Sequence, residues 1–259
     1  MSELETNSQQ KALALAARLR ALTPARVGLG RTGVSLETRE VLDFQRAHAQ
    51  ARDAVHGRLD AAALAAEIEQ VTRQGVLRLR SACKDRTTYL QRPDLGRRLD
   101  EASRERLAAR ENGAGCELAV IVADGLSALA VERHAVPLLV ELLPRLDGWT
   151  IGPIVIAEQG RVAIGDEIGQ ALRAEISVVL IGERPGLSSP DSLGAYITWE
   201  PRPGRTDAER NCISSVRAEG LSYKVAAEQL WWYLTEARRR RVTGVDLKLE
   251  NSIERSIDK

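Results

Sequence analysis

Three continuous apolar runs in the second half of the chain constrain its fold more than any other feature: residues 117–123 (ELAVIVA), 153–158 (PIVIAE) and 176–182 (ISVVLIG). Each is short for a helix and lacks the polar alternation of a half-exposed strand. Each therefore reads as a strand covered on both faces. Helical patterns lie between them, at 128–143 and 164–173. A fourth strand follows at 195–200 (AYITWE), and a closing helix at 222–241 along Ala226, Leu230, Leu234 and Ala237. Buried strands alternating with helices predict an α/β domain, a Rossmann-like and mostly parallel sheet flanked by helices. Ligands in such sheets sit beyond the carboxyl ends of the strands. That singles out the loops Asp124–Ser127, Gln159–Gly165 and Gly182–Ser189.

The first half has a different texture. Residues 11–22 predict a short amphipathic helix with Leu15, Leu19 and Leu22 on one face, which could dock on a partner but is expected to pack on its own domain. Helices are expected at 36–56, 59–73 and 95–110, the last capped by Asp94, with a half-exposed strand at 76–81. Asn112-Gly113-Ala114-Gly115 is the clearest boundary. The resulting division is a flexible or amphipathic segment 1–23, a mainly helical N-terminal region 24–112, an α/β domain 113–248 and a charged tail 249–259.

Composition excludes several classes. A net charge of +1 gives no reason to expect nucleic acid or an anionic membrane, and no apolar run reaches the roughly 20 residues of a membrane span. Aromatic residues are only 3%, so the core must be built from Leu, Val, Ile and Ala. Cys83, Cys116 and Cys212 are odd in number and far apart, without metal-ligand spacing. This predicts no metal site and a reducing, cytoplasmic setting.

Each local motif has a bland reading beside its functional one. Gly28-Leu29-Gly30-Arg31-Thr32-Gly33 matches a dinucleotide cradle but lacks a proper preceding strand, so a tight turn or a partner contact is favoured. Asp124-Gly125-Leu126-Ser127-Ala128 resembles a nucleophile elbow, yet Leu129 stands where the final glycine belongs. His134 lies too far down the same helix to act as base, and Asp124 is expected to be that helix's N-cap. His134 itself reads as a surface or helix-packing residue. Glu183 and Arg184, in Gly182-Glu183-Arg184-Pro185-Gly186, stand at the end of a very apolar strand. Glu183 could accept hydrogen bonds from a ligand amide, or form a solvated corner with Arg184. In 160–169 (GRVAIGDEIG) the glycines would let the backbone approach a flat ligand, with Val162 as either an apolar contact or a core residue. Cys212, from its surroundings alone, reads as a small apolar filler.

Taken together, seven stretches resemble one family: ARVGLGRTG (25–33), YLQRPDLGRRL (89–99), VADGLSALAVERHAVPLL (122–139), QGRVAIGDEIG (159–169), VVLIGERPGL (178–187), ERNCISSVR (209–217) and RRRVTGVDLK (239–248). In this order they resemble the small (light) subunit of ethanolamine ammonia-lyase. The resemblance implies an adenosylcobalamin-dependent radical enzyme that converts ethanolamine to acetaldehyde and ammonia, with the substrate chemistry on a large TIM-barrel subunit. It implies that Val162, Glu183 and Cys212 contact the cobalamin at the interface of a hetero-oligomer. It implies no catalytic residue on this chain, and large-subunit contacts for region 24–112. The absence of Asp-x-His-x-x-Gly fits a family that keeps the nucleotide base on cobalt. A bacterial microcompartment is a location the resemblance allows. Residues 1–20 and 249–259 fall outside the matched stretches, and 188–208 match loosely. The alternatives are a self-contained nucleotide-binding α/β enzyme using the Gly28–Gly33 loop, and a non-catalytic adaptor.

Overall fold

The computed structural model describes residues 14–109 and 115–248. The expectations for 1–10, for the boundary residues Asn112, Gly113 and Ala114, and for the tail 249–259 lie outside the described residues. The chain forms two compact units. One comprises the chain up to Asp53 with Gly186–Pro190, and the other Ala54–Pro185 with the chain from Asp191 onward.

In the first unit, residues 14–22 form helix α1. Arg31–Thr32 (β1) pairs antiparallel with Ser35–Leu36 (β2) around Gly33, whose φ of 64° the turn requires. Helix α2 (Thr38–His56) follows. α1 meets the turn through Ala16, against which Gly28 packs without room for a side chain, and through Arg20, which donates to the carbonyls of Val27 and Gly28. Its leucine face is not used in this way. Leu15, Leu19 and Leu22 are exposed, Leu22 by 83%, contrary to the expected own-domain packing.

The second unit is a three-layer α/β structure. Its strands are β3 (Val76–Arg80), β4 (Cys116–Ala123), β5 (Ile154–Glu158), β6 (Ala174–Gly182), β7 (Leu193–Trp199) and β8 (Arg210–Val216), and they form one sheet in the order β3-β5-β4-β6-β7-β8. The first four neighbours are parallel, and β7 and β8 add antiparallel pairs. Helices α3 (Ala61–Thr72), α6 (Ala128–Leu142) and α8 (Tyr223–Arg240) cover one face, packing Ile68, Leu138 and Leu230 on Leu118, Val120 and Val178. α5 (Glu101–Ala108) and α7 (Ile164–Ala171) cover the other through Leu107, Ile164 and Ile168 against Ala119, Ile121 and Val179. The strand interiors carry apolar side chains to both faces, which is why they read as continuous runs. Among the described residues no helix is long and apolar enough to cross a membrane.

The mostly parallel α/β arrangement is the expected one, with four local differences. β8 was not anticipated, nor was a short helix α4 (Arg86–Gln91). Helix α5 starts later than 95 because Asp100 caps it, accepting from Ser103 N at 2.8 Å, whereas Asp94 opens only a single 3-10 turn. The N-cap of α6 is Ser127, which accepts from Ala130 N at 3.2 Å, and not Asp124. β3 places residues 76–80 of the mainly helical region at the edge of the sheet.

Candidate functional site

Because β4, β5 and β6 run parallel, the loops after them converge on one sheet edge. They enclose a cavity of about 440 Å³ walled by Tyr89, Gly125, Leu126, Arg161, Val162, Ile181, Gly182, Glu183, Arg184 and Tyr196. Gly125 and Gly182 bring the β4 and β6 loops into contact. Leu126 N donates to Gly182 O at 2.9 Å, and a side chain on either glycine would collide with the other loop's backbone. Gly125 also has φ of 56°.

Glu183 follows directly on β6. Its N–H donates to Ser192 O at 2.9 Å. Its Oε2 accepts from the Ser192 hydroxyl and from the Ser215 backbone N at 3.2 Å. Gly194, lacking a side chain, leaves room for Oε1, which a Cβ there would meet at 3.0 Å. One carboxylate oxygen is thus anchored, and among the described residues the other accepts no hydrogen bond. Arg184 is exposed and forms no ion pair with Glu183 among the described residues, so the solvated-corner reading does not describe this loop.

Val162 is half-buried in the cavity wall and also packs on the core cluster beneath α7, so it serves both as wall and as core edge. The glycines around it do not face a ligand. A Cβ on Gly160 would meet Ala157 O and Ala123 Cβ, one on Gly165 would meet Val179, and one on Gly169 would meet Pro201. They are small so that α7 can lie close to the sheet.

Cys212 stands beside the cavity. It lies opposite Tyr196 in the β7–β8 register. The filler reading fails here, because Cys83 and Cys116 are buried whereas Cys212 is exposed. Its thiol is nonetheless crowded enough by neighbouring protein that desolvation pushes its pKa up, against the adjacent Tyr196 phenol, which lowers it. Desolvation likewise raises the Tyr196 phenol, with nearby Cys212 and Glu183 acting in the same direction. The structure therefore places Val162 and Glu183 on one cavity, and Cys212 next to it through Tyr196.

Tyr89, Arg161, Tyr196 and Ser192 were not singled out by the sequence. The available signal was scarcity: the chain has four tyrosines, and two of them wall this cavity.

The other motifs do not form reactive sites. Among the described residues no strand precedes Gly28, and the Gly28–Gly33 run leads into the β1–β2 hairpin and not a helix, so it lacks the frame of a dinucleotide cradle. Ser127 is buried as a helix cap. His134 is buried and bonded to the Tyr223 hydroxyl at 2.8 Å and Asp191 at 3.4 Å. A Ser–His pair for hydrolysis is not assembled.

Known proteins resemble the chain along nearly its whole length. The family model for "Ethanolamine ammonia-lyase light chain (EutC)" matches residues 14–248. A protein named "Ethanolamine ammonia-lyase small subunit" from Pseudomonas aeruginosa (strain LESB58) is 60% identical over 242 residues, covering 91% of this chain and 88% of that protein. Proteins of the same name from Azotobacter vinelandii (60% over 242 residues, 92% and 89% covered) and Xanthomonas campestris pv. campestris (strain B100; 58% over 238 residues, 90% and 87% covered) are similarly alike.

Proposed function

The chain belongs to the ethanolamine ammonia-lyase light chain family, and on that premise we propose that it holds one edge of adenosylcobalamin at an interface with a large catalytic subunit. The observation carrying this reading is the convergence of Val162 and Glu183 on one carboxyl-end cavity, with Cys212 alongside. The residues present fit the group. A corrinoid bears amide side chains around an apolar ring, and the cavity offers an anchored carboxylate with Oε1 left over, beside Val162, Leu126 and Ile181. A corrinoid is also much larger than about 440 Å³, so it would overhang this chain and need cover from a second one.

When bound, adenosylcobalamin supplies the radical that initiates conversion of ethanolamine to acetaldehyde and ammonia. The residues of this chain bind and orient. Glu183 accepts an amide N–H, with Ser192 and Ser215 holding its direction. Val162 excludes water from the ring edge, and Tyr196 with Cys212 extends the contact along β7 and β8. None of these groups carries a proton in the reaction, which proceeds on the large subunit. The exposed leucine face of α1 and the exposed Leu42 and Phe44 of α2 are suited to docking that subunit. A cytoplasmic site of action, including within a bacterial microcompartment, accords with this role.

The test is reconstitution. Mixing this chain with a large chain should give adenosylcobalamin-dependent acetaldehyde formation and a shift in corrinoid absorbance, each requiring both chains. Full turnover by the large chain alone would remove the proposed role.

A further inference from the structure

The segment Tyr89–Gly96 contributes one wall residue to the cavity, and it also hydrogen-bonds the β5 loop at Gly160 and Arg161, just before Val162. The Tyr89 hydroxyl donates to Gly160 O at 3.2 Å. Asp124 Oδ1 accepts from Gly160 N at 3.1 Å. Both backbone polar groups of Gly160 are therefore gripped by buried side chains. The next residue is held from the same side: Arg161 N donates to Gly96 O at 2.7 Å, and Arg161 Nη2 to Tyr89 O at 3.2 Å. Gly96 must be glycine for this approach, since a Cβ would meet Arg161 Cγ at 2.8 Å and Tyr89 Cε2 at 3.2 Å.

Behind the loop the grip is stiff. The Tyr89 ring is fully buried between two guanidiniums, those of Arg86 at 4.7 Å and Arg161 at 4.2 Å from its centroid. Arg86 Nη1 donates to Gly125 O at 2.8 Å and lies 3.6 Å from Asp124 Oδ2, while its Nε is fixed on Val55 O at 2.7 Å. One connected set of side chains thus ties the β4 loop at Gly125 to the β5 loop at Gly160. These two loops supply Leu126 and Val162 to the cavity.

We propose that Tyr89, Arg86 and Asp124 are positioning residues of the cofactor site: they clamp Gly160 and so set the distance at which Val162 meets the ligand. This rests on the cobalamin-binding role proposed above. Gly160 is buried, so its N–H and C=O need partners in any case; here both partners are side chains tied to the β4 loop, so the position of Val162 depends on them. That dependence matters for binding, because a loop shift of about 1 Å moves an apolar contact from touching to open.

The test uses the reconstituted two-chain complex, with adenosylcobalamin and ethanolamine titrated separately. Tyr89→Phe removes the hydroxyl but keeps the stacked ring. It should raise the apparent KM for adenosylcobalamin about twofold to tenfold, the effect of one neutral hydrogen bond. Tyr89→Leu removes the stack as well and should raise it further, with the KM for ethanolamine within about twofold of wild type in both. That split between two ligands, with partial rescue by Phe, is not the result of a general loss of folding. An unchanged cofactor KM in Tyr89→Phe and Tyr89→Leu overturns the inference, as does an equal rise in both KM values. If Tyr89→Leu fails to assemble, Tyr89→Phe decides alone. Glu183→Ala is measured in parallel. If it weakens cofactor binding while the Tyr89 variants do not, the positioning role fails and the binding role stands. If Glu183→Ala also has no effect, the binding role fails first.

Discussion

Arg210 and Asp166 face each other in a doubly hydrogen-bonded ion pair, Nη1 to Oδ1 and Nη2 to Oδ2 at 2.7 Å each, with both side chains 2% exposed. The pair joins β8 to α7 beneath the sheet face that carries Cys212. A charge buried this deeply is tolerated only with its partner. Asp166→Ala leaves buried Arg210 with the Thr198 hydroxyl, the Arg205 carbonyl and the exposed Asp207 carboxylate, 3.5 Å from its Nε, but without its buried counter-charge. It should cost about 3–5 kcal/mol in denaturant unfolding. A loss below about 1 kcal/mol would show that the guanidinium finds water.

Glu183→Ala should raise the apparent adenosylcobalamin Kd of the complex about tenfold to a hundredfold, since a hydrogen bond to a charged group is worth about 1.5–3 kcal/mol. Ser192→Ala leaves the carboxylate in place but frees one of its two anchors. Its effect should be smaller and in the same direction. An unchanged Kd in Glu183→Ala takes the residue out of the site.

Asp124 gives stability an unusual pH dependence. Burial pushes its carboxyl from 3.8 up to about 6, opposed by Arg86 and by the Gly160 and Gln159 amides. A raised carboxyl pKa means the folded chain holds a proton that the unfolded chain has released. Its contribution to stability therefore falls as pH rises from about 4 to about 6 and is level above that. The total is on the order of 2–3 kcal/mol. Asp124→Asn lacks this slope, so its stability relative to wild type should improve between about pH 4.5 and 7.5. A difference that stays constant across the window sinks the assignment.

Leu22 of α1 is largely exposed, so Leu22→Ser should change the stability of the isolated chain by less than about 0.5 kcal/mol. If α1 docks the large subunit, the same variant should weaken assembly measurably in a sedimentation or titration experiment. Unaltered assembly would assign the docking to other surfaces.

The sheet was legible because its interior strands bury both faces, leaving apolar runs that no other element explains. β8 was not, because Arg210, Asn211 and Cys212 are held by particular partners and not by apolar burial. Asn211 bonds the backbone of Gly244 and Leu247, so two of the stretches that carry the resemblance, 209–217 and 239–248, form one structural joint. Asp124 misled for a related reason. A carboxylate just ahead of a helix normally caps it, but here Ser127 does so, and Asp124 turns inward to Arg86 and Gly160. Glu183 could be chosen from its place at a strand's end, whereas Ser192 and Ser215, which aim it, come from chain segments 9 and 32 residues away. No local pattern joins them.

The small, open cavity at the edge of β4–β6 has a thermodynamic consequence for a shared cofactor. A ligand half covered by one chain leaves much of its contact free energy to the second. Reciprocity then requires that the factor by which the large chain tightens cofactor binding equals the factor by which cofactor tightens the pairing of the chains. In the proposed role, loading and assembly become a single equilibrium, and cofactor concentration sets how much of this chain is found in complex.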